Sequence, residues 1–175
     1  LQPEVGGLPL QVSHHGFGPI WSIVMQIQTT RFGLVEIDDQ RIMVFPQGMV
    51  GFPSCQRFAL IQTNDEGVFF WMQSLDRSEL AFVVCDPRTF VPDYRVPVKL
   101  EELQVIDLKH QEDAQVLVIV NKVDNTLTGN LQGPLVINAK NLTGKQLVLS
   151  DKRYTTRHPL MELNARRNMP ISKTA

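Results

Sequence analysis

The segment Phe45-Pro46-Gln47-Gly48-Met49-Val50-Gly51-Phe52-Pro53 constrains this chain more than any other, because an apolar run stops there and two glycines and two prolines follow within eight positions. Glycine admits positive φ, whereas proline fixes φ near about −65° and removes an amide donor. The chain must turn tightly, and the rings of Phe45 and Phe52 need apolar surroundings. Gly48 and Gly51 therefore read as backbone devices, Phe45 and Phe52 as anchors of a packed turn between two strands.

On both sides of this turn, short runs rich in β-branched and aromatic residues alternate with turn signals. Strands are expected near 26–30, 33–37 and 41–45, with Asp38-Asp39 as the hairpin turn between the last two. Further runs fall at 57–62, 68–72, 81–85, 115–123, 135–138 and 146–150. Val116-Leu117-Val118-Ile119-Val120 has little alternation, as expected of a strand covered on both faces. One stretch breaks the pattern: Leu100 and Leu103 lie three apart with Glu101 and Glu102 early, which reads as a short helix over 98–104. The class is all-β, and periodicity leaves sandwich and closed barrel both open.

A chain of 175 residues with 43% hydrophobic content can bury one sizeable core. Its formal net charge of −1 argues against a general nucleic-acid binder. The charge is unevenly spread, since residues 152–175 hold Lys152, Arg153, Arg157, Arg166, Arg167 and Lys173 against Glu162 alone. Residues 1–24 carry a single charge, Glu4, and scatter Gly6, Gly7, Pro9, Gly16, Gly18 and Pro19 without a period. They are expected to form an extension outside the domain, an irregular arm if ordered, with Met25 as the native start. No apolar run has the length of a membrane span and no basic n-region opens the chain, so the expected compartment is the cytoplasm, with no membrane partner.

Catalytic patterns are sparse. Cys55 and Cys85 are far apart and flanked by apolar residues, as expected of reduced, buried thiols. His14, His15, His110 and His158 show no zinc-helix spacing, so no metal and no cofactor are expected. Asp86, Asp93, Glu101, Glu102, Asp107, Glu112 and Asp113 could pair as acid and base, but loop acids without a cleft are ordinarily solvated. Ser74 lacks a Gly-x-Ser-x-Gly elbow, and Gly48-Met49-Val50-Gly51 lacks the lysine and helix of a phosphate loop. The chain reads as a binding protein, not an enzyme.

The 45–53 turn, Leu75, Phe82-Val83-Val84-Cys85-Asp86-Pro87, Phe90-Val91-Pro92-Asp93-Tyr94 and the block Asn130-Leu131, Pro134, Leu135-Val136-Ile137-Asn138 occur in an order that resembles the flagellar assembly factor FliW family over about positions 25 to 157. The resemblance implies a small antiparallel β-barrel, and it makes Asp86, Pro87, Asn130, Leu131, Pro134 and Asn138 signature positions that read as turn, cap and core residues. It also implies a monomer that binds the RNA-binding translational regulator CsrA, relieves its repression of the flagellin message, and is drawn away by flagellin. Candidate partner-binding residues are Phe90, Asp93 and Tyr94 on a proline-stiffened loop, with Glu101 and Glu102 beyond it. The bland alternative has Phe90 and Tyr94 plugging one end of the barrel and Asp93 capping a turn. Residues 158–175 form a basic tail in which Pro159 could open a helix through Leu160 to Arg167, stopped by Pro170. A competing reading has Arg153, Arg157, Arg166 and Arg167 bind RNA or single-stranded nucleic acid with Tyr154 as the stacking ring.

Overall fold

Strand β1 (Val24–Thr29) and strand β2 (Gly33–Asp38) pair antiparallel in an unbroken register from Val24 opposite Asp38 to Thr29 opposite Gly33. The computed structural model describes residues 23–97 and 99–163. Gly33 closes the β1–β2 turn with φ of 68°, a left-handed conformation that glycine adopts without a Cβ penalty. The hairpin predicted across Asp38-Asp39 does not form. The Asp38 carboxylate caps a 3-10 turn, Asp39–Arg41, by accepting from the Gln40 N–H at 2.9 Å, and the chain passes to a different sheet.

That second sheet holds nine strands: β3 (Met43–Val44), β4 (Arg57–Ile61), β5 (Phe70–Ser74), β6 (Ala81–Cys85), β7 (Ala114–Val123), β8 (Thr126–Gly129), β9 (Leu135–Asn138), β10 (Thr143–Gln146) and β11 (His158–Glu162). Its order is β11-β8-β7-β6-β5-β4-β3-β10-β9, and β9 pairs back onto β7. Seven strands, β3 to β7 with β9 and β10, thus close a barrel-like ring, and β8 and β11 continue off it. The length of β7 permits this: Ala114 to Leu117 pair with β9 while Val120 to Val123 pair with β8.

Because strand side chains alternate between faces, the ring separates three apolar clusters. Its interior takes Met43, Phe45, Phe58, Met72, Val84, Leu117, Leu135 and Ile137. Outside β4 and β5, Ala59 and Ile61 meet Val35 and Ile37, so the β1–β2 hairpin lies on the ring like a flap. Outside β6, β7 and β9, Cys85, Val118, Val120 and Val136 meet Tyr94, Leu103, Ile106, Leu147 and Leu149, so the segment between β6 and β7 covers that wall. The low alternation of β7 follows: Leu117 serves the interior while Val118 and Val120 serve the outer cluster.

Several element boundaries differ from the sequence expectation. The helix expected over 98–104 is a 3-10 turn, Leu100–Ile106, and the strand expected over 146–150 is β10, three residues earlier. The C-terminal helix from Pro159 does not form where the structure describes it, since His158–Glu162 is strand β11, paired with β8 and bulged between Pro159 and Met161. Residues 164–175 and the leader 1–22 lie outside the described residues. Among the described residues no helix is long and apolar enough to cross a membrane.

Candidate functional site

The glycine-proline turn is built as its composition demands. Gly48 and Gly51 have φ of 68° and 85°, and a Cβ on Gly48 would collide with the backbone of Pro53. The Gly48 N–H donates to the Phe45 carbonyl at 2.8 Å, and Met49 and Phe52 exchange backbone bonds across the apex. Phe45 is fully enclosed, edge-on to Phe58 at 5.6 Å with Gly144 against its ring. Phe52 is only half-buried, packed edge-on against Phe82 at 5.7 Å, so it is a shallower anchor than its place in the motif implies. Asp76, which the sequence does not single out, ties the base of the turn. Its carboxylate accepts from the N–H groups of Gln56 at 2.7 Å and Arg57 at 2.8 Å and pairs with the Arg57 guanidinium at 2.9 Å. Burial works to raise the Asp76 carboxyl, but these backbone and guanidinium donors outweigh it and hold the group below the ordinary carboxylate value.

The Asp-Pro pair starts the cover of the outer wall. Asp86 accepts from the Arg88 N–H at 2.9 Å, and Pro87 stands at the first position of the 3-10 turn Pro87–Thr89, where a missing N–H is harmless. Phe90 stacks on Phe69 at 5.7 Å. Tyr94 is 3% exposed, its hydroxyl donates to the Leu131 carbonyl at 2.7 Å, and its ring lies 4.7 Å from Tyr154. Burial, followed by the neighbouring Tyr154, pushes the Tyr94 hydroxyl well above its usual value, so it stays a donor. Asp93 alone of the three loop candidates stands exposed.

Glu101 and Glu102 are exposed on the 3-10 turn while Leu103 and Ile106 point into the outer cluster that also holds Tyr94 and Leu131. One apolar cluster therefore anchors both acidic elements. The end of the turn is held by Asn138, whose amide donates to the carbonyls of Ile106 and Asp107 at 3.0 and 3.1 Å while its oxygen accepts from the Lys140 N–H. Asn130 accepts from the Gly133 N–H at 2.9 Å, and Leu131 and Pro134 are buried. The Asn-to-Asn block is thus a capping device at both ends with core between.

Other candidates are occupied elsewhere. Tyr154 is buried against Tyr94 and its hydroxyl accepts from the Arg95 N–H at 3.0 Å, so its ring is not open to a base. Arg153 is paired with Asp151 at 2.7 Å. Cys55 and Cys85 are buried free thiols, and burial with Asp86 alongside pushes Cys85 up to about 12. Among the described residues, no group of three or more His, Cys, Asp or Glu could hold a metal ion.

A barrel-like ring with a capped Asp-Pro turn, a glycine-proline turn and an Asn-capped strand defines a FliW-type β domain. The family described as FliW protein matches residues 26–160. The flagellar assembly factor FliW of Treponema denticola is 42% identical over 144 residues, covering 81% of this chain and 97% of that protein. That of Natranaerobius thermophilus is 37% identical over 139 residues, covering 78% and 92%. A crystal structure of the flagellar assembly factor FliW superposes with a TM-score of 0.71 at 31% identity, over 81% of this chain and all of that one. The chain belongs to the FliW family.

Proposed function

We propose that this chain acts in the cytoplasm as a flagellar assembly factor that binds a CsrA-type translational regulator, frees the flagellin message from repression, and is titrated by flagellin. The observation that carries the reading is family membership across residues 26–160, shared with relatives named as flagellar assembly factors. Partner exchange of this kind needs two coupled or overlapping protein interfaces and no bond chemistry, so the chain is a binding protein rather than an enzyme. Asp93, Glu101 and Glu102 are exposed above one rigid apolar cluster and form the acidic face offered to a basic partner. Phe90 and Tyr94 act beneath that face as its support. The test is a pull-down from a flagellated bacterial lysate with residues 25–175 as bait: recovery of both CsrA and flagellin supports the reading, and recovery of neither removes it.

A further inference from the structure

The β1–β2 hairpin lies flat on the ring with one face, yet it forms a sheet of two strands only, so each strand keeps an outer edge that no described strand covers. The Asp39 N–H donates to the Ile23 carbonyl at 3.0 Å, which fixes the phase of the ladder. In an antiparallel pair, bonded and non-bonded pairs alternate, so Met25–Ile37 and Ile27–Val35 exchange bonds while Gln26–Glu36 and Gln28–Leu34 do not. The N–H and C=O groups of Leu34 and Glu36 on β2, and of Gln26 and Gln28 on β1, consequently point away from the hairpin.

The two edges differ in charge and in protection. β1 carries no charged residue from Val24 to Thr29. Along β2 and into its cap stand Glu36, Asp38 and Asp39, with Arg41 two residues further on. The Glu36 carboxylate is oriented by the Gln26 amide at 3.0 Å. One carboxylate oxygen of Asp39 is shut away from solvent with no hydrogen-bond donor, so the exposed Glu36 is the acid that a partner on this edge meets first. By contrast, β11, the outermost strand of the larger sheet among the described residues, is guarded by Pro159 and a bulge, two devices that discourage strand addition.

We propose that the outer edge of β2 receives an extended, lysine- or arginine-bearing segment of a protein partner as a third strand, with Leu34 and Glu36 supplying the backbone bonds and the acids of β2 selecting the charge. The proposal rests on the binding of a basic regulator put forward above, and it gives that partner a second point of attachment.

The test compares proline at the two edges, using the full chain and purified CsrA-type regulator in an equilibrium binding assay. Glu36→Pro removes only an outward N–H, as Gln28→Pro does on β1, so neither breaks a β1–β2 bond. Glu36→Pro is expected to weaken regulator binding at least tenfold with an unchanged circular dichroism spectrum, while Gln28→Pro, which leaves the Gln26–Glu36 contact intact, binds as the unsubstituted chain does. Should Glu36→Pro fail to fold, Glu36→Lys decides, with the same loss expected from charge reversal alone. Folded β2 variants that bind at full strength, or a loss confined to Gln28→Pro, overturn the strand-addition proposal and leave the regulator reading standing. Absence of binding by the unsubstituted chain removes both.

Discussion

Gly144 and Phe45 form a pair whose coupling can be worked out from the packing. The Phe45 ring is completely enclosed in the ring interior, and a Cβ built on Gly144 would sit 2.6 Å from its Cζ and 2.7 Å from its Cε1. An edge-on Phe58 at 5.6 Å limits the ring's retreat. Gly144→Ala is therefore an overpacking substitution that should destabilise by about 1–3 kcal/mol. Phe45→Leu removes the far part of the ring and should cost less than the roughly 3–5 kcal/mol expected when a buried phenylalanine is cut to alanine. In the double variant the added methyl occupies space the ring has vacated, so the two losses should fall short of additivity by at least about 1 kcal/mol. Urea denaturation followed by far-UV circular dichroism, on all four members of the cycle, measures the coupling. Losses that add within about 0.5 kcal/mol would refute the close approach of β10 to Phe45.

Phe52→Ala should cost only about 1–2 kcal/mol because part of the ring is already accessible to water, and a loss equal to that of Phe45→Ala in the same denaturation assay would show a deeper anchor. Asp76 has a folded pKa below its unfolded value of 3.8, so its contribution is complete above that pH and is lost as pH falls through the folded value. Asp76→Asn should accordingly flatten the acid limb of a melting-temperature profile, and an unchanged limb would remove the clamp. The triple variant Asp93→Lys, Glu101→Lys, Glu102→Lys should keep its melting temperature within a few degrees, since all three side chains are exposed, and should lose CsrA affinity at least tenfold by calorimetry. Full affinity would take those acids out of the interface.

Elements with strong local signals were legible in the sequence. β6 and β9 begin and end where their apolar runs do, and the φ values of Gly48 and Gly51 are what the turn composition requires. Elements decided by distant partners were not. Pro159 to Arg167 carries a helical pattern, but β8 offers its open edge to His158–Glu162, and no sequence window contains that offer. β8 itself is four residues ending in glycine after a two-residue turn, too short to show a period. Asp38-Asp39 has the composition of a hairpin turn, yet the Asp38 side chain finds Gln40 first and starts a 3-10 turn. At the candidate site, sequence order located the acids and the aromatics but could not tell them apart in role. Only the Leu131 carbonyl, 37 residues away, shows that Tyr94 is a support while Asp93 is surface. Asp76 gave no signal because its partners, Gln56 and Arg57, lie across a strand pair.

A gel-shift titration with a flagellin leader RNA tests the central claim most directly. The protein alone should leave the RNA unshifted at micromolar concentration, consistent with a formal net charge of −1. Added to a CsrA–RNA complex it should release the RNA, and flagellin added next should restore the complex. A CsrA–RNA complex that persists at saturating protein, or a direct RNA shift that vanishes when residues 152–175 are removed, would contradict the account.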